Sequence, residues 1–520
     1  MKPQNLFLII GLVTTGFLIG GCDKKLDQVN PNAQTSASFW KTANDALQGI
    51  NAAYAPMLLD GGYMRFTPVL ENVPGDDIVS NSPWTAISQA ARFTLGTSIP
   101  DGYGWTFDAY YEGVYRCNQV LDYVKDIPMD TALKNRIMGQ AYFLRGFYFF
   151  RLVDMWGNVA LPVHAPTSTD QFFSPQTTAE QGWNQVISDL KAAIPLLPVS
   201  YVDVSGPDLN QLGRATRGAA MAFLGKAYLF NKMYQQAADE FKAVIGLKVY
   251  HLMANYADNF DLAHENNAES IFEVQFSTTA GGTDLGWQGV PASTWAKTSA
   301  RAITFGAPGF GWTDVQPGLW AFSQFFNEKT VNSAVDPRLD ATMFYNKPGE
   351  MIYGKPFAQV YANSANLNQV FCKKYENGDG SRPDEFDWKS GINERVMRYS
   401  DVLLMYAECE NELNDRAECA KYIQMVRSRV DLPDREAEFA GYSQQQMRDQ
   451  IAHERLLEFC LEGHRWDDIK RWGWLQNPTK LAELKVHDPE FDTYQPGREL
   501  LPIPQGEIDN NPGFKQNPTY

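Results

Sequence analysis

The chain is poor in cations, in histidine and in cysteine pairs. Its 520 residues carry 45 Lys and Arg against 61 Asp and Glu, a formal charge of −16 with a pI near 4.9. Following a phosphate backbone takes clustered cations that release counterions, so this balance argues against nucleic acid as a partner. The six histidines, at positions 164, 251, 264, 453, 464 and 487, lack the spacing of a metal site, and no cofactor is implied. Cys22, Cys117, Cys372, Cys409, Cys419 and Cys460 include no C-x-x-C pair, which indicates neither a zinc ribbon nor a full disulfide framework. Also missing are the G-x-S-x-G elbow, the G-x-x-x-x-G-K-[ST] phosphate loop, G-x-G-x-x-G after a strand, and H-E-x-x-H. No enzyme class is marked by motif.

Nor is there an apolar run long enough for a permanent membrane helix. Residues 6–21, LFLIIGLVTTGFLIGG, fall short of the ~20 apolar residues that span a bilayer, and Thr14 and Thr15 interrupt them. Lys2 before the run and Ile19-Gly20-Gly21-Cys22 at its end match the layout of a signal peptide with a bacterial lipobox. Small residues admit the peptidase, and the Cys22 sulfur takes the lipid. The plainer alternative is an ordinary secretory signal with an incidental cysteine. Residues 1–21 therefore read as a lipoprotein signal peptide. Residues 22–38, polar and containing Pro31, read as a lipidated tether holding the protein on a membrane. Removing the signal leaves 44 basic against 61 acidic residues. The five remaining cysteines read as small buried apolar groups.

From residue 39 to 520 the chain reads as one domain. Helical spacing runs through Leu133, Ile137, Ala141, Leu144, Tyr148 and Leu152 and closes at Gly157-Asn158, predicting a helix with a buried face. Residues 215–245 read as two amphipathic helices separated by Asn231-Lys232-Met233. Ala219, Ala222, Ala227, Ala237 and Ala238 are small enough for close approach, as in a tetratricopeptide unit. Related pairs are expected at 108–152 and 398–430, which splits the solenoid along the sequence. Residues 246–392 break the pattern. IFEVQF at 271–276 alternates like a strand, and Gly- and Trp-rich text follows that reads as long, ordered, functional loops.

Two charged clusters invite chemistry. Asp76-Asp77 has the residue type for a glycosidase pair or a calcium ligand, but among 61 acids adjacency says little, and a solvated or structural role is the reading taken. In AHERLLEFCLEGHRWDDIKRWG, residues 452–473, the spacings 455 to 458 and 467 to 471 predict ion pairs on shared helix faces around a turn at Gly463. With both signs present, the structural reading outweighs a catalytic one. The Pro- and Asn-rich residues 499–520 are expected to run extended along the surface.

Several stretches in order resemble one family: LDQVNPN after the lipobox, the opening at 39–54, FLRGFYFFRLVDMWGNV at 143–159, VDPRLDAT at 335–342, RYSDVLLMYAE at 398–408, ERLLEFCLEGHRWDDIKRW at 454–472, and LPIPQGEIDNNPGFKQNPTY at 501–520. The chain resembles the SusD/RagB outer-membrane lipoproteins of Bacteroidetes from Cys22 to Tyr520. The resemblance implies a mostly α fold, a tetratricopeptide-like scaffold with an irregular ligand-binding half. It also implies non-catalytic capture of a nutrient at the extracellular side of the outer membrane, usually a glycan (oligosaccharide or polysaccharide) and sometimes a peptide. The partner implied is a SusC-like TonB-dependent transporter. Family ligand sites are arcs of aromatic rings, which pack on the C–H faces of sugars. By location, Trp84, Trp287, Trp295 and Trp312 are the candidate rings, with Tyr63, Arg65, Asp77 and Asn81 as polar partners. Trp40, Trp156, Trp466 and Trp472 lie in shared motifs and read as structural. Two other functions compete: an outer-membrane hydrolase acting on a polysaccharide, and a tetratricopeptide adaptor that binds only protein.

Overall fold

The computed structural model describes residues 39–279 and 297–520. Its long helices are α1 (Ala43–Tyr54), α2 (Tyr103–Tyr123), α3 (Thr131–Trp156), α4 (Ala179–Ala193), α5 (Arg217–Phe230), α6 (Tyr234–Gly246), α7 (Tyr399–Glu412), α8 (Arg416–Ser428) and α9 (Gln444–Phe459). From α2 to α7 each packs against the next, and α7 also meets α8 and α9. The fold is mostly α, a stack of helix pairs resembling tetratricopeptide units. The pairs expected at 108–152, 215–245 and 398–430 correspond to α2/α3, α5/α6 and α7/α8. Helix α4 has no counterpart in the sequence reading, although Thr178 and Gln181 form a capping box at its start.

Helix α3 begins where the Asp130 side chain accepts from the Leu133 amide, and ends at Gly157, which takes φ 72°. Periodicity predicts one buried face; the structure buries nearly the whole surface, because α3 lies in the middle of the stack. Phe143, Phe147 and Phe150 meet the Phe223 ring on α5 at centroid distances of 5.4–6.3 Å. The buried arginines of α3 are each paired: Arg136 with Asp208, Arg145 with Asp189 of α4, and Arg151 with Glu71. Between α5 and α6, a Cβ at Gly225 would lie 2.6 Å from the Phe241 ring, so that contact distance requires glycine.

After α6 the chain leaves the stack and returns along the strand Glu394–Arg398, which pairs antiparallel with Ser270–Val274. The excursion carries short elements and a second apolar cluster containing Phe310, Phe344, Tyr353, Phe357 and Phe371, so part of its aromatic content serves a core. The last residues do more than cover the surface. The Trp156 indole N–H donates to Pro502 O, Asn517 Nδ2 donates to Trp156 O and Leu501 O, and Ile503 is buried. The tail closes the end of α3. All five cysteines from Cys117 to Cys460 are buried and free. Among the described residues no helix is long and apolar enough to cross a membrane.

The charged C-terminal motif forms ion pairs, some on its own helix faces, Arg471 with Asp468 and Lys470 with Asp467, but mostly with partners remote in sequence. Arg455 bonds Asp401 and Asp468, both at 2.7 Å, and not Glu458. Glu458 takes Arg338, Arg398 and Arg429, while Glu462 takes Arg398 and Lys374. Arg471 bonds Glu408 and Asp468. Gly463 makes the expected turn at φ 78°, and its amide donates to Asn72 Oδ1. Arg398, 1% exposed, touches Glu269, Glu458 and Glu462 together. Arg398→Ala takes one cation from three buried carboxylates at once, leaving Glu462 with Lys374, Glu269 with Arg429 and Glu458 with Arg338 and Arg429, and chemical denaturation is expected to show a loss of about 3–5 kcal/mol. A loss under ~1 kcal/mol refutes this account of the junction.

Candidate functional site

Residues 60–66 form an irregular turn where the scaffold meets the excursion. A Cβ at Gly61 would fall 2.0 Å from the Trp105 carbonyl oxygen, so the turn sits directly on the first turn of α2. Thr67 Oγ1 donates to Gly61 O and shares a hydrogen bond with the Tyr110 hydroxyl. Arg65 closes the turn on Asp60 through two hydrogen bonds, one of them Nε to Oδ1 at 2.7 Å. Its guanidinium lies 4.8 Å from the Phe66 ring centroid and 4.9 Å from that of Trp84.

Trp84 is half-buried and meets Phe66 edge-on at 5.1 Å and Trp105 at 5.9 Å, tilted by 54°. Its amide donates to Ser82 Oγ. Residues 78–79 pair with 316–317, Asn81 Nδ2 donates to Gln316 Oε1 at 2.7 Å, and Ser80 Oγ donates to Asp314 O. Burial raises the Asp314 carboxyl above its ordinary range, against a hydrogen bond with Ser82 and the Arg65 charge. Trp312 reaches this group through its own backbone, two residues before Asp314. Its half-buried ring meets Trp388 edge-on at 5.3 Å, and Thr313, in the left-handed region at φ 58°, bonds Gly306 O.

The structure sets the half-buried Trp84 ring over the buried Arg65 side chain, with Asn81 three residues before it in the chain and Trp312 linked through Asp314. Phe66, Trp105, Asp60, Asp314 and Trp388 join them without having been selected by sequence; for Trp105 the available signal is a tryptophan in the Gly-rich turn DGYGWTF, the same kind that marks Trp84. Cys22, Trp287 and Trp295 lie outside the described residues. Three placements need correction. Arg65 is 2% exposed, and its guanidinium is engaged by Asp60 beneath the rings. Tyr63 is 1% exposed, and its hydroxyl accepts from Arg151 inside the core. Asp77 is also interior, beside Cys460. A ligand on the surface touches none of the three.

Asp76 and Asp77 are buried rather than solvated, and their role is structural. Burial opposes ionisation of Asp76, but Arg465, bonded at 2.6 and 2.9 Å, and His487 at 2.8 Å outweigh it and hold the carboxyl low. With its carboxylate engaged by these partners, the pair does not present two free groups to a sugar or a calcium ion. At Asp77 burial together with the Asp76 charge outweighs Arg465 and pushes the carboxyl up to about 7. His464, which burial pushes down to about 4, is neutral near pH 7.

A family model described as "SusD family" matches residues 268–520, and one described as "Starch-binding associating with outer membrane" matches residues 26–229. The chain belongs to the SusD/RagB family. SusD-like protein P25 of Formosa agariphila is 26% identical over 540 residues, covering 98% of both chains. A SusD superfamily crystal structure from Bacteroides vulgatus aligns with TM-score 0.81 at 28% identity, covering 93% of this chain and 100% of its own. A laminarin-binding SusD-like protein aligns with TM-score 0.73 at 27% identity, over 92% and 100%. The SusD-like helical scaffold is thus shared over nearly the whole chain.

The Asp77 shift gives a stability prediction. The folded state keeps this proton up to about pH 7, whereas an unfolded Asp releases it near pH 4, so ionisation progressively penalises folding across that window. Asp77→Asn removes the penalty. Its stability relative to the unsubstituted protein is expected to rise from pH 4 to pH 7 and to level off above, as read by urea denaturation at a series of pH values. A difference that does not vary with pH contradicts the assignment.

Proposed function

We propose that this SusD-like protein binds a glycan at the outer face of the outer membrane without turning it over, and passes it to a SusC-like TonB-dependent transporter. Lipidation at Cys22 would hold it there. The observation that carries the reading is the half-buried Trp84 ring, held over the Arg65–Asp60 pair and packed beside Trp105. An aromatic face that solvent reaches suits a sugar, whose C–H face stacks on it, and the exposed Asn81 three residues away in the chain is the polar side chain proposed to meet its hydroxyls. The starch-binding description of the matching family model and the laminarin-binding relative support a glycan as ligand. Trp312, and Trp287 and Trp295 from the sequence, are proposed as further rings of the same site. Stacking alone gives modest affinity, which suffices where a lipid anchor and a partner keep the site at high local concentration.

Affinity gel electrophoresis against laminarin and a panel of neutral polysaccharides tests the proposal. Retardation by at least one polysaccharide is expected, without release of reducing ends. Trp84→Ala should weaken it about tenfold, equivalent to ~1.4 kcal/mol, with a melting temperature measured alongside to verify that the variant is folded. Release of reducing ends makes the protein a hydrolase, and retardation by no polysaccharide leaves the adaptor reading.

A further inference from the structure

A concave site lies on the other side of α2. It is a cleft of about 810 Å³ between α2, the segment 160–174 and the C-terminal tail, with Tyr111, Tyr115, Phe172, Phe173 and Glu507 among its walls. The walls are built into the fold. The Tyr111 hydroxyl donates to Ala160 O, Asn118 Nδ2 donates to Pro162 O, and Asp122 accepts from the Ala165 amide and pairs with His164. At the far end Asn511 Nδ2 donates to Ser174 O. Anchored at both ends, this segment nonetheless leaves Phe172 64% and Phe173 53% exposed, opposite Tyr115 at 43%.

The volume falls in the range of small-ligand pockets, about 300–1,000 Å³, and is too confined for the footprint of a folded partner. The rings alternate with hydrogen-bonding groups, Gln171, Asn510 and the Glu507 carboxyl among them. Burial raises that carboxyl, and with Asp122 and Lys125 both on the walls neither sign of charge dominates the cleft. Amphiphilic walls of this kind match a neutral saccharide. The position adds an independent argument. Trp105 and Phe107 stand two residues apart on α2, ~200° around the helix at ~100° per residue. Trp105 meets Trp84, whereas Phe107 lines the cleft. The first turn of one helix thus supports both aromatic faces.

We infer that the cleft of Tyr115, Phe172 and Phe173 is a second saccharide subsite, which grips another stretch of the same neutral polymer that the Trp84 face holds. The inference rests on the glycan reading above. Two modest contacts on one polymer reinforce each other, because binding at the first raises the effective concentration at the second.

The test compares the unsubstituted protein, Phe172→Ala/Phe173→Ala, and Trp84→Ala on gels containing laminarin and each neutral polysaccharide of the panel. Titration calorimetry with the hexasaccharide of the retarding polymer then counts the sites. Phe172 and Phe173 are exposed enough for their double variant to fold, which its melting temperature verifies. Each variant is expected to weaken polymer retardation three- to tenfold, and the Phe variant to lower hexasaccharide stoichiometry from two to one. If Trp84→Ala abolishes binding and the Phe variant matches the unsubstituted protein, the second subsite is overturned and the glycan reading stands. If the Phe variant abolishes binding and Trp84→Ala changes nothing, the cleft is a saccharide site and the Trp84 assignment falls. Retardation by no polysaccharide overturns both.

Discussion

The scaffold and the irregular half are joined through buried charge. Arg398 stands at the last residue of the strand by which the chain re-enters the helical stack, and it touches Glu269 on the excursion and Glu458 and Glu462 at the end of α9. Glu458 also binds Arg338 and Arg429. Burying a charge costs several kcal/mol unless its partners are placed correctly, and each of these groups has more than one. A slip of the strand or a displaced helix would strand several charges at once. The network therefore acts chiefly on specificity, allowing one arrangement of the two halves, and the position of every loop on the excursion follows from that arrangement.

A smaller version of the same device prepares the ligand face. Arg65 and Asp60 are buried beneath Trp84 and Phe66, so the pair sets the height and tilt of a ring that solvent still reaches. A ring fixed in advance loses little freedom when a ligand stacks on it. The tight Gly61–Trp105 approach transmits the position of α2 to this turn, and thus links the aromatic face to the rigid stack rather than to the loops alone. Such an arrangement suits recognition by surface. Its carboxylates are engaged with arginine or drawn into the interior, which matches binding better than proton transfer at a sugar bond.

Much of the scaffold is legible in the residues. The small residues Ala219, Ala222 and Ala227 and the stop at Gly157 are local devices, and each acts in the structure at its own position. Trp84 is legible as a candidate because a tryptophan in polar text needs either cover or a ligand. Tyr63 and Asp77 are not legible as interior groups, since their neighbours, Arg151 and Cys460, lie far away in the sequence. Arg455 shows the same limit: spacing pairs it with Glu458 three residues on, whereas the fold gives it Asp401 and Asp468.

What the sequence by itself determined is therefore the set of parts: helices, turns, the family motifs and the stock of aromatic rings. These depend on interactions within a few residues, or on patterns that repeat along the chain. Tertiary structure decided which charges pair, which rings stay wet and which face the core. The contacts of Arg398 with Glu269, of Arg65 with the Trp84 ring and of Ser80 with Asp314 join segments up to 234 residues apart, and no local pattern encodes such distances. Whether a tryptophan binds a ligand or plugs a core is a question of solvent access, and access exists only once the chain has closed around itself.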